Sequence, residues 1–477
     1  MEEKAAYPRS RSLLLVCGLA ALTVGCSLAP KTVLPDPPTP TSWLDEDAEA
    51  RSAALVGWRE FFADAALQAT ISRALENNRD LRIALLRVEE ARAAYRVQRA
   101  DRLPTINGQI GAGRGRTSGD LSITGLGVTT NQYEANLNLS WELDFWGRVR
   151  SLEGAALQRY LATEAASQAA RISLISAVAE TWLQLRELDE RILLADQTVE
   201  TRREAARIAR RRSEVGAASR FDMIQTETLL TQAEGEKIAL VQAREQTANA
   251  LALLIGAPNE EPSLPLSSVE QALSADPPPG LPSELLATRP DIRAAEHNLR
   301  SADADIGAAR AAFFPRIALT GLYGSASTDL DRLFDGDNRQ WTFAGAATAP
   351  IFDTGRTRAN LSGTRVRREI AAADYERTIQ SAFRDVADSL SARRNLTDLV
   401  AVQTRTLAAL TERSRLANLR YGNGAAAYIE VLDAERDRFA AEQALVSARR
   451  ALLSSRVALY AALGGGALPD SSSGQTR

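Results

Sequence analysis

Few residues in this chain could do covalent or metal chemistry. Its 477 residues hold one imidazole, His297, and two thiols, Cys17 and Cys26. A single His cannot build a His-based metal cluster, and it speaks against a Ser-His-Asp triad. No GxxxxGK[ST] phosphate loop occurs. Carboxylates are plentiful but fall on helical stretches as ordinary charged faces. The expectation is therefore a protein that is not an enzyme and carries no cofactor and no metal. What remains is electrostatic. In Ile429-Glu430-Val431-Leu432-Asp433-Ala434-Glu435-Arg436, the residues Asp433 and Arg436 stand three apart and share a helix face. From spacing alone that is a solvated pair within one helix. Two further stretches, Gly216-Ala217-Ala218-Ser219 and Gly424-Ala425-Ala426-Ala427, can be read in two ways. Either Gly is needed by a turn and Ala starts the next helix, or the small residues let another helix approach closely. Lys plus Arg is 57 against 60 Asp plus Glu, a net charge of -3, so no basic field for nucleic acid exists.

Arg9 and Arg11 precede an apolar run, Leu13 to Val24, too short to span a bilayer as a helix and suited to an export signal. The run ends Leu22-Thr23-Val24-Gly25-Cys26, which resembles a bacterial lipobox, with Thr23 where Leu is commoner. Cys26 is then the expected lipidation site, residues 1–25 being removed as a signal peptide. No later Cys exists to pair with it. Ordinary cleavage, with Cys26 a chance residue, is the alternative. Ser27 rather than Asp after the Cys points to the outer membrane in such lipoproteins. Pro30, Pro35, Pro37, Pro38 and Pro40 exclude a helix and make residues 26–60 an extended tether.

The elements that must position these residues come in two copies. Asp80-Leu81-Arg82-Ile83-Ala84 matches Asp291-Ile292-Arg293-Ala294-Ala295 at an offset of 211. Phe145-Trp146-Gly147-Arg148 faces Asp353-Thr354-Gly355-Arg356 at 208, and the two Gly-Ala-Ala stretches repeat that offset. A duplication follows. The first repeat covers 61–256 and the second 289–466, joined by a Pro-rich linker, 257–288; a flexible tail, 467–477, ends the chain.

Each repeat reads helix, two strands, very long helix, helix. Residues 65–101 and 291–312 are predicted helical, each stopping before a proline, Pro104 or Pro315. Then the period becomes two. In 131–146, Tyr133, Ala135, Leu137, Leu139, Trp141, Leu143 and Phe145 point one way, and Glu134, Asn136, Asn138, Ser140, Glu142 and Asp144 the other. Such a length, with aromatics near the ends, fits a transmembrane barrel strand. Its partner, about 104–114, puts Ile106 and Ile110 on one face and Asn107 and Gln109 on the other. The second repeat supplies a weaker pair, about 316–325 and 339–352, with Trp341, Phe343 and Ile351 on one face. Four strands cannot close a barrel, and open edges cannot sit in lipid, so spanning strands require oligomerisation. Three chains would supply twelve.

The stretches 147–213 and 355–421 contain no proline, and each can form one helix roughly 100 Å long. Val178, Leu185, Ile192 and Val199 recur every seven residues, with Ile175 and Trp182 between them. That is a coiled-coil seam, although an ordinary bundle core has the same spacing. Return helices, 219–256 and 426–464, end at Gly256 and Gly464, where caps belong.

Taken in order, these motifs resemble the outer-membrane efflux factors of the TolC/OprM kind, in particular the lipoprotein branch serving resistance-nodulation-division pumps. The carriers include Gly25-Cys26-Ser27, Leu143-Asp144-Phe145-Trp146-Gly147-Arg148, Phe314-Pro315, Pro350-Ile351-Phe352-Asp353, Arg420-Tyr421-Gly422-Asn423-Gly424 and Ala462-Leu463-Gly464-Gly465-Gly466. The resemblance implies an α+β fold. A transmembrane β-barrel, four strands per chain and twelve in a homotrimer, joins a long α-helical coiled-coil barrel. It implies a lipid-anchored protein of the Gram-negative outer membrane, extending into the periplasm. Its role would be a passive exit duct for small molecules such as drugs. The expected partners are outer-membrane lipid, a periplasmic adaptor (a membrane fusion protein) and an inner-membrane efflux pump, with no nucleic acid. The resemblance also assigns sites. Asp433 matches the carboxylate of a periplasmic gate, Arg436 its nearby base and Ile429 its apolar ring. The two hairpins, Gly216 to Ser219 and Gly424 to Ala427, match the adaptor-contact turns. The first repeat has Gln225 where the second has Asp433, so only one copy would carry the ring.

Other classes make different demands. A secreted enzyme needs a convergent site. A periplasmic coiled-coil spacer needs no amphipathic strands. A duct for protein secretion is the alternative inside the family, and the lipobox and the Gly-Gly-Gly ending lean towards small-molecule efflux. Two Met residues are few for a copper or silver duct, since soft ions favour thioether ligands.

Overall fold

The computed structural model describes residues 28–35, 56–123, 125–257, 272–273 and 284–465. Cys26 lies outside them. The chain divides into two compact units. One holds Arg87–Thr163 and Ala295–Tyr375 with residues 28–35. The other holds Glu164–Ala294 and the chain from Glu376, with residues 56–86. In chain order the helices are α1 (Trp58–Phe61), α2 (Ala65–Asn77), α3 (Arg79–Ala100), α4 (Arg148–Glu214), α5 (Arg220–Ile255), α6 (Glu284–Thr288), α7 (Pro290–Ala311), α8 (Arg356–Gly422) and α9 (Tyr428–Ala462). The strands are β1 (Thr105–Thr117), β2 (Val128–Leu143), β3 (Arg316–Ser327) and β4 (Arg339–Thr348). No described helix is long and apolar enough to cross a membrane.

The first unit is built on one antiparallel sheet of order β1-β2-β3-β4. Each repeat contributes a hairpin, and β2 pairs with β3 across the duplication, Leu137 opposite Tyr323 and Trp141 opposite Leu319. Two expectations about the strands need correction. β2 ends at Leu143, so Phe145 is not on its apolar face. Asp144 leaves the ladder because its carboxylate accepts from the backbone N–H groups of Val149 and Arg150 and so caps α4. β4 ends at Thr348, which removes Ile351 from the face it was expected to share with Trp341. Pro350 has no N–H for a ladder. Asp353 then accepts from Thr357 N–H at 2.9 Å, as the cap of α8.

The second unit has the larger apolar core. Trp58, Phe62, Leu67, Ile71, Ile175, Val178, Trp182, Leu185, Leu251 and Val457 are all buried. Phe61 stacks on Tyr460 with ring centroids 4.1 Å apart, and the Tyr460 hydroxyl donates to the Val56 carbonyl. The heptad seam of α4 is the buried stripe here, with Ile192 only half-buried against a smaller cluster around Ala195, Leu240 and Phe439. The single helix expected over 65–101 is broken at Asn78, whose backbone is extended. Its side chain explains the break. Nδ2 donates to the Leu254 carbonyl at 2.9 Å, and Oδ1 accepts from Leu81 N–H at 2.9 Å. One residue thus caps α3 and ties it to α5.

The duplication is visible in backbone conformation. Gly147 and Gly355, Gly216 and Gly424, and Gly256 and Gly464 all have positive φ, each pair 208 residues apart. At Gly256 a side chain is excluded twice over, since a Cβ would lie 2.4 Å from the Asn77 carbonyl oxygen.

Candidate functional site

The sheet has two chemically different faces. Because the pleat alternates, the register aligns Ile106 with Leu139, Leu137 with Tyr323, and Tyr323 with Trp341 on one face. That face is apolar yet uncovered: Ile110 is 88% exposed and Trp341 75%. An apolar face of this extent facing water would be an aggregation hazard, so it must meet lipid or protein. The opposite face is polar and cross-linked. Asn138 Nδ2 donates to Gln109 Oε1 at 3.2 Å, and Gln340 Nε2 donates to Asn136 Oδ1 at 3.1 Å. At the helix-proximal end Glu142 accepts two hydrogen bonds from Arg148, at 2.7 and 2.8 Å, and one from Arg316. This carboxylate joins β2, β3 and the start of α4, and sequence reasoning passed over it because its partners are spread over the chain.

The second candidate site is the hairpin formed by α8 and α9. Asp433 and Arg436 lie one helical turn apart and form an ion pair at 3.1 Å; both are exposed enough to exchange partners. Arg436 also contacts Asp437, which in turn accepts from Arg413 of α8 at 2.7 Å. The hydrogen bond from Arg413 holds the Asp437 carboxyl below the usual aspartate range. Ile429 is exposed at the start of α9. The first-repeat counterpart of Asp433 differs in placement as well as in type: Gln225 Oε1 is buried with no hydrogen-bond partner among the described residues.

One residue beside this pair went unnoticed in the sequence. Glu435 accepts from Ser414 Oγ at 2.6 Å, Asn418 Nδ2 at 3.2 Å and Arg438 Nη2 at 3.0 Å. Burial pushes its carboxyl up, but the hydrogen bonds from Ser414, Arg438 and Asn418 outweigh it and hold it below the ordinary range. Glu435 therefore fastens α9 to α8. It borders a cavity of about 320 Å³ inside the α4–α5–α8–α9 bundle, where Arg202 lies over the Phe439 ring. Burial raises the Tyr428 hydroxyl and lowers the Arg202 guanidinium there. Only the i,i+3 acid–base spacing around Glu435 hinted at this.

The two Gly-Ala turns are exposed and nearly superimposable in their bonding. Ala217 N–H donates to Arg212 carbonyl, and Ala425 N–H to Arg420 carbonyl, both at 2.8 Å. Gly216 and Gly424 have φ of 77° and 71°, and no other atom lies within 4 Å of where a Cβ would sit. The turns need Gly for conformation, not for closeness within the chain. They differ in capping: Ser219 Oγ accepts from Asp222 N–H, whereas Ala427 has no side chain to do so. His297 is half-buried with Nδ1 at 2.7 Å from Gln158 Oε1, a structural contact. No group of metal-binding side chains occurs among the described residues.

These faces, helices and turns are matched by the outer membrane efflux protein family over residues 70–257 and 281–465. The chain belongs to that family. It is similar to outer membrane protein OprJ of Pseudomonas aeruginosa, 42% identical over 457 residues that cover 94% of this chain and 95% of the relative. It is also similar to the cation efflux system protein CusC of Escherichia coli, 39% identical over 458 residues covering 95% and 98%. Among solved structures, the open state of the Neisseria gonorrhoeae MtrE outer membrane channel superposes with a TM-score of 0.84 at 38% identity, over 92% of this chain and 98% of that one. The chain is thus an outer-membrane efflux protein of the TolC/OprM-like kind, with the α+β, internally duplicated fold of those channels, and its relatives are efflux proteins, not enzymes.

Proposed function

We propose that three copies of this chain form a passive exit duct for small molecules such as drugs. An inner-membrane pump would drive the flow, delivering cargo through a periplasmic adaptor. The observation that carries this reading is the four-stranded sheet, with one exposed apolar face and one hydrogen-bonded polar face. The outer edges of β1 and β4 have no partner strand among the described residues. Lipid does not tolerate such edges, so copies must pair β4 to β1 until the sheet closes. Twelve strands from three copies close a barrel of ordinary size, polar inside. No bound nucleotide or metal is required of a wet lumen, and selection falls to the pump.

The same reading makes the α8–α9 hairpin a gate at the periplasmic end. Three Asp433 carboxylates about a symmetry axis repel unless paired or hydrated around a cation. The Arg436 pairing seen within one chain supplies that compensation. Exposed pairs of this kind contribute about 0–1 kcal/mol, so Arg436 can trade Asp433 for a group on another copy. Ile429, one turn away, adds an apolar constriction. The exposed Gly216–Ser219 and Gly424–Ala427 turns are the surfaces offered to the adaptor, and Cys26 is the lipid anchor.

The test is planar-bilayer conductance of the purified protein, wild type against Asp433→Ala. A small wild-type conductance that rises in the variant is expected. Equal, large conductances would keep the duct but remove Asp433 from the gate. No conductance from either, with insertion verified, would overturn the duct.

A further inference from the structure

The loop end of the sheet carries a feature that a bare lipid-facing wall does not need. Arg114 and Arg116 end β1 in the same alternation as Ile106 and Ile110, and therefore on the apolar face. Arg339 opens β4 and lies opposite Ser325, in register with Trp341 two residues on, again on that face. All three are exposed, and no ion pair to any of them occurs among the described residues. The carboxylates of this end, Asp120, Asp329, Asp331, Asp335 and Asp337, sit on the connecting segments outside the strands. Arg339 also lines a groove of about 520 Å³ whose apolar walls include Ile110, Leu137, Tyr323 and Phe334.

We propose that this groove and these arginines bind an acyl lipid with an anionic phosphate headgroup in the outer leaflet. A hydrocarbon chain would lie between Ile110, Leu137, Tyr323 and Phe334. Its phosphate would meet Arg339, because guanidinium forks match phosphate oxygens bidentately. The inference rests on the barrel reading above, which puts the loop end of the strands at the outer surface. Closure strengthens it. β1 and β4 are opposite edges of the sheet, so pairing β4 of one copy with β1 of the next brings Arg339 to the edge that carries Arg114 and Arg116. An uncompensated arginine on a lipid-facing strand is costly at mid-bilayer and cheap near the interface. Each stands at the loop end of its own ladder, Arg114 and Arg116 beyond Tyr133 and Arg339 two residues beyond Trp341, where anionic headgroups are the expected counterions.

The test uses the full-length protein in detergent micelles, titrated with a bis-phosphorylated, multiply acylated disaccharide lipid, an uncharged diacyl glycolipid and inorganic phosphate, with bound lipid counted by native mass spectrometry. Each basic residue near an anionic surface contributes about fivefold in affinity, so Arg114→Gln/Arg116→Gln/Arg339→Gln should weaken the phosphorylated lipid by about a hundredfold. The matching Lys variant, which restores the charges without the forks, should bind between the Gln variant and wild type. Equal retention of the uncharged glycolipid, or undiminished binding by the Gln variant, overturns the proposal. So does competition by inorganic phosphate at the same concentration as the lipid, which would make the site a headgroup site without a chain. A fluorophore on Leu139→Cys, quenched by brominated acyl chains in vesicles, checks the parent reading. Loss of quenching would remove the barrel itself, whereas normal quenching in a Gln variant that still binds would remove only the lipid site.

Discussion

Neighbouring residues Leu137 and Asn138 allow the two faces of the sheet to be separated by one step along the chain. Leu137 is 54% exposed on the apolar face, midway between Tyr133 and Trp141. Eight residues of strand cover about 27 Å, or about 20 Å along the membrane normal at a barrel tilt of about 40°. Leu137 is then about 10 Å from each aromatic level, close to the bilayer midplane. An arginine there costs about 2–4 kcal/mol per copy, hence about 6–12 kcal/mol in a trimer if the copies act independently. Asn138 faces the other way and donates to Gln109. Arginine at 138 would stand in a wet lumen and cost about 0.5 kcal/mol, as an ordinary surface change does. The assay is urea unfolding of protein assembled in phosphatidylcholine vesicles, read by the heat-modifiable mobility of the oligomer. Leu137→Arg should leave little assembled oligomer, and Asn138→Arg should match wild type within the width of the transition. If Asn138→Arg is as damaging as Leu137→Arg, or if both are neutral, the assignment of the apolar face to lipid is wrong.

Glu435→Gln removes the ion pair to Arg438 while leaving a hydrogen-bond acceptor for Ser414; it should cost about 1–2 kcal/mol and raise amide exchange in the α8–α9 hairpin near Ser414 and Asn418. Because the folded Glu435 carboxyl lies below its ordinary 4.5, its stabilisation is complete above that value and is lost as the pH falls through the lower folded one. The opening free energy of the hairpin, from exchange corrected for its intrinsic pH dependence, should therefore be flat from neutrality to about pH 5 and fall in stronger acid, with the Gln variant showing no such fall from this site. Gly256→Ala and Gly216→Ala both place a side chain at positive φ, but only the first meets a carbonyl, at 2.4 Å. Gly216→Ala should cost about 1–2 kcal/mol and Gly256→Ala clearly more, judged by urea midpoints; equal costs would mean that α5 has room to shift. Cys26→Ser should abolish acyl labelling, and label persisting on the variant would place the anchor elsewhere.

Much of the architecture was legible because it depends on the chain's own period. Alternation from Tyr133 to Leu143 assigned both faces of β2, since the pleat forces successive side chains to opposite sides. Proline-free stretches and recurring glycines marked the long helices and their turns, because only Gly enters positive φ without strain. The Asp433–Arg436 pair was legible as an i,i+3 spacing, and the two residues do meet. Local period fails where a distant group captures a residue. Asn78 looks helical until its side chain bonds the Leu254 carbonyl, 176 residues away. Asp144 looks like the polar face of a strand until it caps α4.

Partners, by contrast, were settled only by the tertiary structure. Spacing could pair β1 with β2, and β3 with β4, as short-range hairpins. It carried no information that β2 would join β3 and make one sheet from two repeats. Nor could it gather Ser414, Asn418 and Arg438 around Glu435, or set Arg339 on the same face as Arg114 and Arg116. Backbone geometry determines which way a side chain points from within a few neighbouring residues. What it points at is decided by which surfaces exclude water together, and that choice is made only when remote segments fold against one another.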